Sequence, residues 1–190
     1  VTRDQIILAA DVTTEANDLM RQIHNSAARQ PLILPGGFAE AYLENDFDEK
    51  FNDVLPHLDA FIARPERRLL DVGSGGGVPA IPLAIARPAW HVVALDRSHK
   101  KGAFLQQAVI ELALPNAEAA IARVEDYVPS APFDVVISRA FSDLATFAQS
   151  SARHLALGGR LVAMKGVFPD EEVALLPPAF RVVAAPALAV

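Results

Sequence analysis

Cysteine is absent from this 190-residue chain. That excludes disulfides and thiolate metal sites and fits a reducing compartment. Long hydrophobic runs are absent too: no stretch of about 18 apolar residues passes without a charge, so no membrane span is expected. The start carries no basic-then-apolar secretory pattern, and a cytoplasmic location is expected. The five histidines show no metal-ligand spacing, and no Ser-His-Asp or paired-carboxylate arrangement stands out, so no metal is expected. Excess positive charge is also missing, the net charge being -6. A protein that grips bare nucleic acid over a broad face is usually basic, so any such contact here must be a local basic patch. Internal repeats and low-complexity tracts are not found. With 52% hydrophobic and 21% charged residues the chain reads as globular.

Composition changes near residue 66. Before it, residues 1 to 30 and 38 to 63 read as helical, with Ile6, Ile7, Ala10, Leu19 and Ile23 at roughly helical spacing. Pro31, Pro35, Gly36 and Gly37 separate the two stretches. The acidic segment from Glu40 to Asp53 reads as a solvated helix face. From residue 67 strands alternate with helices. The short apolar runs 68–72, 91–95, 117–122, 133–137 and 160–164 are the expected strands. Helices are expected over 78–87, 99–113, 142–157 and 170–176, with Gly158-Gly159 as a helix C-cap and an apolar extended stretch over 180–190. This alternation predicts an α/β fold with a doubly wound, mostly parallel, Rossmann-like sheet and helices on both faces. The expected organisation is a small helical cap over residues 1–66 and a ligand-binding domain over 67–190. Ligands of such sheets bind outside the carboxyl ends of the strands, near the reversal of strand order.

Two acids and a glycine-rich turn lie at those ends. In Asp71-Val-Gly-Ser-Gly-Gly-Gly77 the glycines permit positive φ and close approach of a ligand. A dinucleotide fingerprint needs Gly or Ala at the sixth position from Gly73, where this chain has Val78. The spacing Asp71, Gly73, Gly75, Gly77 instead suits a methyltransferase loop, in which the acid favours a cofactor bearing an ammonium and a sulfonium and would repel a pyrophosphate. Asp96 closes the second strand, where a carboxylate can accept hydrogen bonds from both ribose hydroxyls. The reading is a class I S-adenosylmethionine-dependent methyltransferase, with S-adenosylhomocysteine as the cofactor product.

The run from Asp71 to Leu83 carries Pro79 and Pro82 after the glycines, and in this it resembles the bacterial ribosomal RNA small-subunit methyltransferase G family, also called glucose-inhibited division protein B. Asp96 with Lys100-Lys101 and Phe104-Leu105, Arg123-Val-Glu125, Val136-Ile-Ser-Arg-Ala-Phe141, Lys165-Gly166, Pro169-Asp-Glu-Glu and Leu175-Leu-Pro177 agree with it, in order over about residues 68 to 186. The resemblance implies methyl transfer to N7 of one guanine of 16S ribosomal RNA, free or within the small ribosomal subunit, by a monomeric protein with an N-terminal helical cap. It also implies that Gly73 and Val78 touch the cofactor, that Val124 and Glu125 sit against its adenine, and that Arg139 lines the pocket for cofactor and substrate. The sequence departs from the family in two places. The cap lacks an Asn-Leu-Thr-like segment and the following His-containing helix. The chain also stops at Val190, where the family continues with a final strand bearing a Glu-Arg-His element, so that strand is expected to be missing.

Guanine N7 has an exposed lone pair and needs no general base, so positioning is the enzyme's task. Arg139 and Lys165 are the candidate catalytic residues, as groups that hold a phosphate, guanine O6 or the cofactor carboxylate. The bland alternative for Arg139 is an ion pair with Asp134 or Asp143, and for Lys165 a solvated strand end. Arg97, Lys100 and Lys101, with His99, open the helix after the second strand. Cations there oppose the helix dipole, which marks them as candidate RNA contacts. Three other readings remain open: a methyltransferase for a small molecule or protein, an inactive cofactor-binding module, and a dinucleotide oxidoreductase.

Overall fold

The structure is a computed structural model that describes residues 67–139, 141–165, 168–183 and 185. The expected cap over residues 1–66 lies outside them. Five strands form one parallel sheet: β1 (Arg67–Val72), β2 (Trp90–Asp96), β3 (Ala117–Ile121), β4 (Phe133–Arg139) and β5 (Leu155–Met164), in the order β3-β2-β1-β4-β5. Helices α1 (Ala80–Ala86), α2 (His99–Glu111), α3 (Leu144–Ser151) and α4 (Asp170–Ala174) lie between and after them. The order runs outward from β1 to β3 on one side and restarts at β4 on the other, which opens a crevice between the ends of β1 and β4.

Alternation along the strands divides the core between the two faces. Leu69, Val92, Ala94, Val135, Ile137 and Val162 face α1 and α2, where they meet Ile81, Leu83, Phe104, Leu105 and Ala108. Leu70, Val93, Leu95, Val136 and Leu161 face the other way, onto Leu144, Phe147 and Ala148 of α3. The central strands are apolar on both sides because helices cover both sides. No helix among the described residues is long and apolar enough to cross a membrane.

One expected boundary is wrong. The helix before β5 stops at Ser151, a 3-10 turn occupies Ala152–His154, and β5 already starts at Leu155. Gly158-Gly159 is therefore a bulge inside the strand and not a helix cap. Phe133 and Val135 of β4 pair with Leu155 and Arg160, so five residues of β5 span two of β4. Gly158 has φ +78°, and a Cβ on Gly159 would stand 3.0 Å from the carbonyl oxygens of Phe133, Asp134 and Ala156. Of the extended stretch expected at the end, the described residues 180–183 belong to no strand, although Phe180 and Val182 pack on the α3 side of the core.

Asn116, just before β3, ties the end of α1 to the start of β2. Its Nδ2 donates toward the carbonyls of Ala84 (3.0 Å), Arg87 (3.2 Å) and Trp90 (3.1 Å). Replacement removes these side-chain hydrogen bonds, though the Arg87 carbonyl still accepts from the Trp90 amide. Asn116→Ala is expected to lower stability in urea unfolding by about 1–2 kcal/mol, with ligand binding at the opposite, carboxyl end of the sheet unchanged.

Candidate functional site

β1 ends in a buried carboxylate. Asp71 is 1% exposed, and its Oδ2 accepts hydrogen bonds from Ser74 Oγ (2.7 Å) and from the Ala80 amide (3.2 Å) in the first turn of α1. Its Oδ1 is buried with no hydrogen-bond partner. Burial pushes the carboxyl up from 3.8 to about 6, against the Ser74 and Ala80 bonds and the attraction of Arg139, with a further push from Asp96. The loop then folds over the end of β2: the amides of Gly73 and Ser74 both donate to the Leu95 carbonyl, at 2.9 and 3.0 Å. Gly73 holds φ +74°, is exposed, and would project a Cβ into open space. Gly77, at φ +88°, is needed for a different reason, because its Cβ would stand 2.6 Å from Cγ1 of Ile81. Gly75 has φ +61°, and Val78 is buried in the core under α1.

Asp96 is the second acid, 5% exposed at the end of β2. Its Oδ2 accepts from the Gly75 amide (3.0 Å) and its Oδ1 from the Ser98 amide (2.9 Å), with Lys101 Nζ 3.8 Å from Oδ2. Each carboxylate oxygen keeps a further lone pair. The two predicted acids are thus brought to one glycine turn. Across the crevice, Ser138 Oγ donates to the Val72 carbonyl (2.8 Å) and pins the end of β4 to that of β1, next to Arg139. Of the alternative partners for Arg139, Asp134 accepts from the Arg68 amide (2.9 Å) and Asp143 caps α3 through the Thr146 amide (2.7 Å).

The remaining predicted residues are placed around this turn. Val124, 7% exposed, joins the core on the α3 side, and Glu125 is exposed beside Arg123. Arg97 and Lys100 are exposed at the start of α2, while Lys101 is half-buried; the Ser98 side chain caps that helix by accepting from the Lys101 amide (3.4 Å). Lys165 follows β5 and is committed to Glu172: Nζ donates to both carboxylate oxygens, at 3.0 and 2.8 Å, and Glu172 Oε2 also accepts from the Leu144 amide (2.8 Å). Ser74, Ser138 and Glu172 organise the site without having been singled out as site residues. Ser74 lies inside the glycine run, where a hydroxyl three residues after the acid was the available signal. No group of side chains among the described residues could hold a metal ion.

The Asp71 carboxyl is raised in the folded state, so the fold binds its proton more tightly than the unfolded chain. The stability this gives is complete below about pH 4 and is lost as pH rises through about 6. Asn at this position keeps an acceptor for Ser74 and Ala80 and does not ionise. Asp71→Asn is expected to be the more stable protein at pH 7, by up to roughly 3 kcal/mol, and to lose the advantage toward pH 4. Urea unfolding of both proteins at the two pH values measures this.

A sequence model of the family described as rRNA small subunit methyltransferase G matches residues 45–189. The protein of that name from Laribacter hongkongensis is 54% identical over 124 residues, covering 65% of this chain and 60% of the relative. The one from Alkalilimnicola ehrlichii is 38% identical over 187 residues, covering 86% and 82%. This chain thus spans about 60% of the length of the first of these curated relatives. Among solved structures it is similar in fold to an S-adenosyl-L-methionine-dependent methyltransferase of Methanococcus maripaludis described as putative (TM-score 0.54, 18% identity, 77% of this chain and 64% of that one). A coclaurine N-methyltransferase bound to N-methylheliamine and S-adenosylhomocysteine is similar too (TM-score 0.53, 15% identity, 78% and 50%). The sheet order, the acidic glycine turn and these sequence matches agree, and the chain belongs to the rRNA small subunit methyltransferase G family.

Proposed function

We propose that this protein is an S-adenosylmethionine-dependent methyltransferase that modifies N7 of a specific guanine in 16S ribosomal RNA, acting as a cytoplasmic monomer. The observation that carries the cofactor reading is the Asp71 turn. A buried carboxylate keeps one oxygen without a partner, beside a glycine whose Cβ position is open space. An acceptor that the fold leaves unsatisfied suits a cationic ligand, and the missing Cβ at Gly73 leaves room for it. When bound, S-adenosylmethionine supplies a methyl group activated on a sulfonium. Asp71, Gly73, Gly75, Gly77 and Val78 form the proposed cradle, Asp96 takes the ribose hydroxyls with its remaining lone pairs, and Val124 and Glu125 border the adenine.

The chemistry asks little proton transfer of the protein. Guanine N7 is already a nucleophile, and its attack leaves positive charge on the purine. An ammonium or guanidinium close to the ring would oppose that charge, so the useful cations are those that hold anionic or carbonyl groups away from it. Arg139, across the crevice from Asp71, is proposed to hold a phosphate or the ligand carboxylate, away from the purine ring. Lys165 is proposed to serve the same end of the pocket in its pair with Glu172, which offsets its charge. Arg97, Lys100 and Lys101 form the proposed RNA patch at the mouth, a local answer to the net charge of -6. Membership of a family whose relatives carry the ribosomal RNA name supports this choice of acceptor.

Methyl transfer from labelled S-adenosylmethionine to unmodified small-subunit RNA and particles tests the reading. Label is expected at one guanine N7, and Arg139→Ala is expected to reduce transfer by roughly tenfold or more, the scale of one charge-assisted contact. A protein that binds the cofactor yet labels no RNA would contradict the acceptor assignment and point to a small-molecule or protein acceptor.

A further inference from the structure

The loop after β3 carries Val124 and Glu125; Val124 is buried in the core and Tyr127 packs against it, while Glu125 adds little. The Arg123–Glu125 pair spans 3.5 Å with both side chains half or more exposed, where solvent screens it. The loop's backbone is held by a local turn, in which the Asp126 and Tyr127 amides donate to the Arg123 carbonyl, and by side chains of the 3-10 turn before β5. Arg153 donates from one guanidinium nitrogen to the Glu125 carbonyl (2.6 Å) and from the other to the Tyr127 carbonyl (3.2 Å). His154, 2% exposed, has Nε2 2.8 Å from the Val124 carbonyl. A carbonyl only accepts, so His154 is the Nε2–H donor. Its ring also lies 5.9 Å from that of Tyr127, which stacks on Phe133 of β4 at 6.5 Å. Two adjacent residues therefore fix three carbonyls of the loop and dock it on the sheet.

We propose that Arg153 and His154 are positioning residues that hold the loop of Val124 and Glu125 in the shape that receives the adenosyl half of the cofactor. The inference rests on the adenosyl reading given above and adds the device that pre-orders the loop. A loop ordered before binding loses less conformational freedom when the ligand arrives. A planar guanidinium suits two carbonyls at once, which a single ammonium cannot copy. Neither residue is near the reacting methyl in this scheme, so the effect belongs in cofactor affinity and not in turnover.

The test is titration of the full chain with S-adenosylhomocysteine and with adenosine, together with steady-state methyl transfer. Arg153 is exposed, so Arg153→Ala keeps the fold, which a thermal melt verifies. It is expected to weaken both ligands by a similar factor, about five- to tenfold. The KM for S-adenosylmethionine is expected to rise with kcat unchanged, and Arg153→Lys to recover only part of the loss. His154→Gln, which keeps an N–H donor, is expected to bind better than His154→Ala. Wild-type affinity in a folded Arg153→Ala, or a fall in kcat with KM unchanged, would overturn this inference and leave the adenosyl reading standing. A wild-type chain that binds neither ligand would overturn the adenosyl reading itself, and this inference with it.

Discussion

Burying a carboxylate is costly unless its lone pairs are met, and the Asp71 turn is the arrangement by which this fold offsets part of that cost. The side chain ends β1, accepts from Ser74 and from the first amide of α1, and so fixes where the helix begins. The glycines then carry the backbone against β2, where Asp96 takes the Gly75 amide. The strand ends, the start of α1 and the two acids are consequently one hydrogen-bonded unit. What it leaves over is the unpartnered oxygen of Asp71, and the proposed ligand chemistry turns on that oxygen.

The second half of the site is built across the switch in strand order. Ser138 closes the floor between β1 and β4, and Arg139 stands on the far side of the crevice, close enough in charge to stabilise the ionised Asp71. Lys165 belongs to a separate knot in which Glu172 gathers the end of β5 and the start of α3. The Lys165 charge is therefore compensated by Glu172, which fits the proposed transfer to a purine.

Much of this was legible in the chain because the signals are local. The apolar run over 68–72 and the one closed by Asp96 marked two strands, and the spacing of Gly73, Gly75 and Gly77 favoured the proposed methyltransferase loop over a dinucleotide loop. Gly158-Gly159 misled, because a glycine pair after a helical pattern reads as a cap, while its true requirement, close approach of three carbonyls, depends on β4. Asn116, the Lys165–Glu172 pair and the grip of Arg153 and His154 were invisible for the same reason. The contacts of Asn116, Arg153 and His154 join segments 26 to 32 residues apart that meet only after the sheet forms, whereas Lys165 and Glu172 are seven apart and meet because the chain turns back after β5. The expected cap over residues 1–66 falls outside the described residues and leaves the domain division as a proposal.

The most direct test of the central claim, that Asp71 is the ligand-facing acid of this turn, is the affinity for S-adenosylhomocysteine between pH 5 and 8. Binding of a ligand ammonium by the ionised carboxylate requires loss of the Asp71 proton. The account predicts that affinity strengthens as pH rises through about 6, with proton release on binding in that window. Affinity that is flat across this range, or that rises identically in Asp71→Asn, would contradict it.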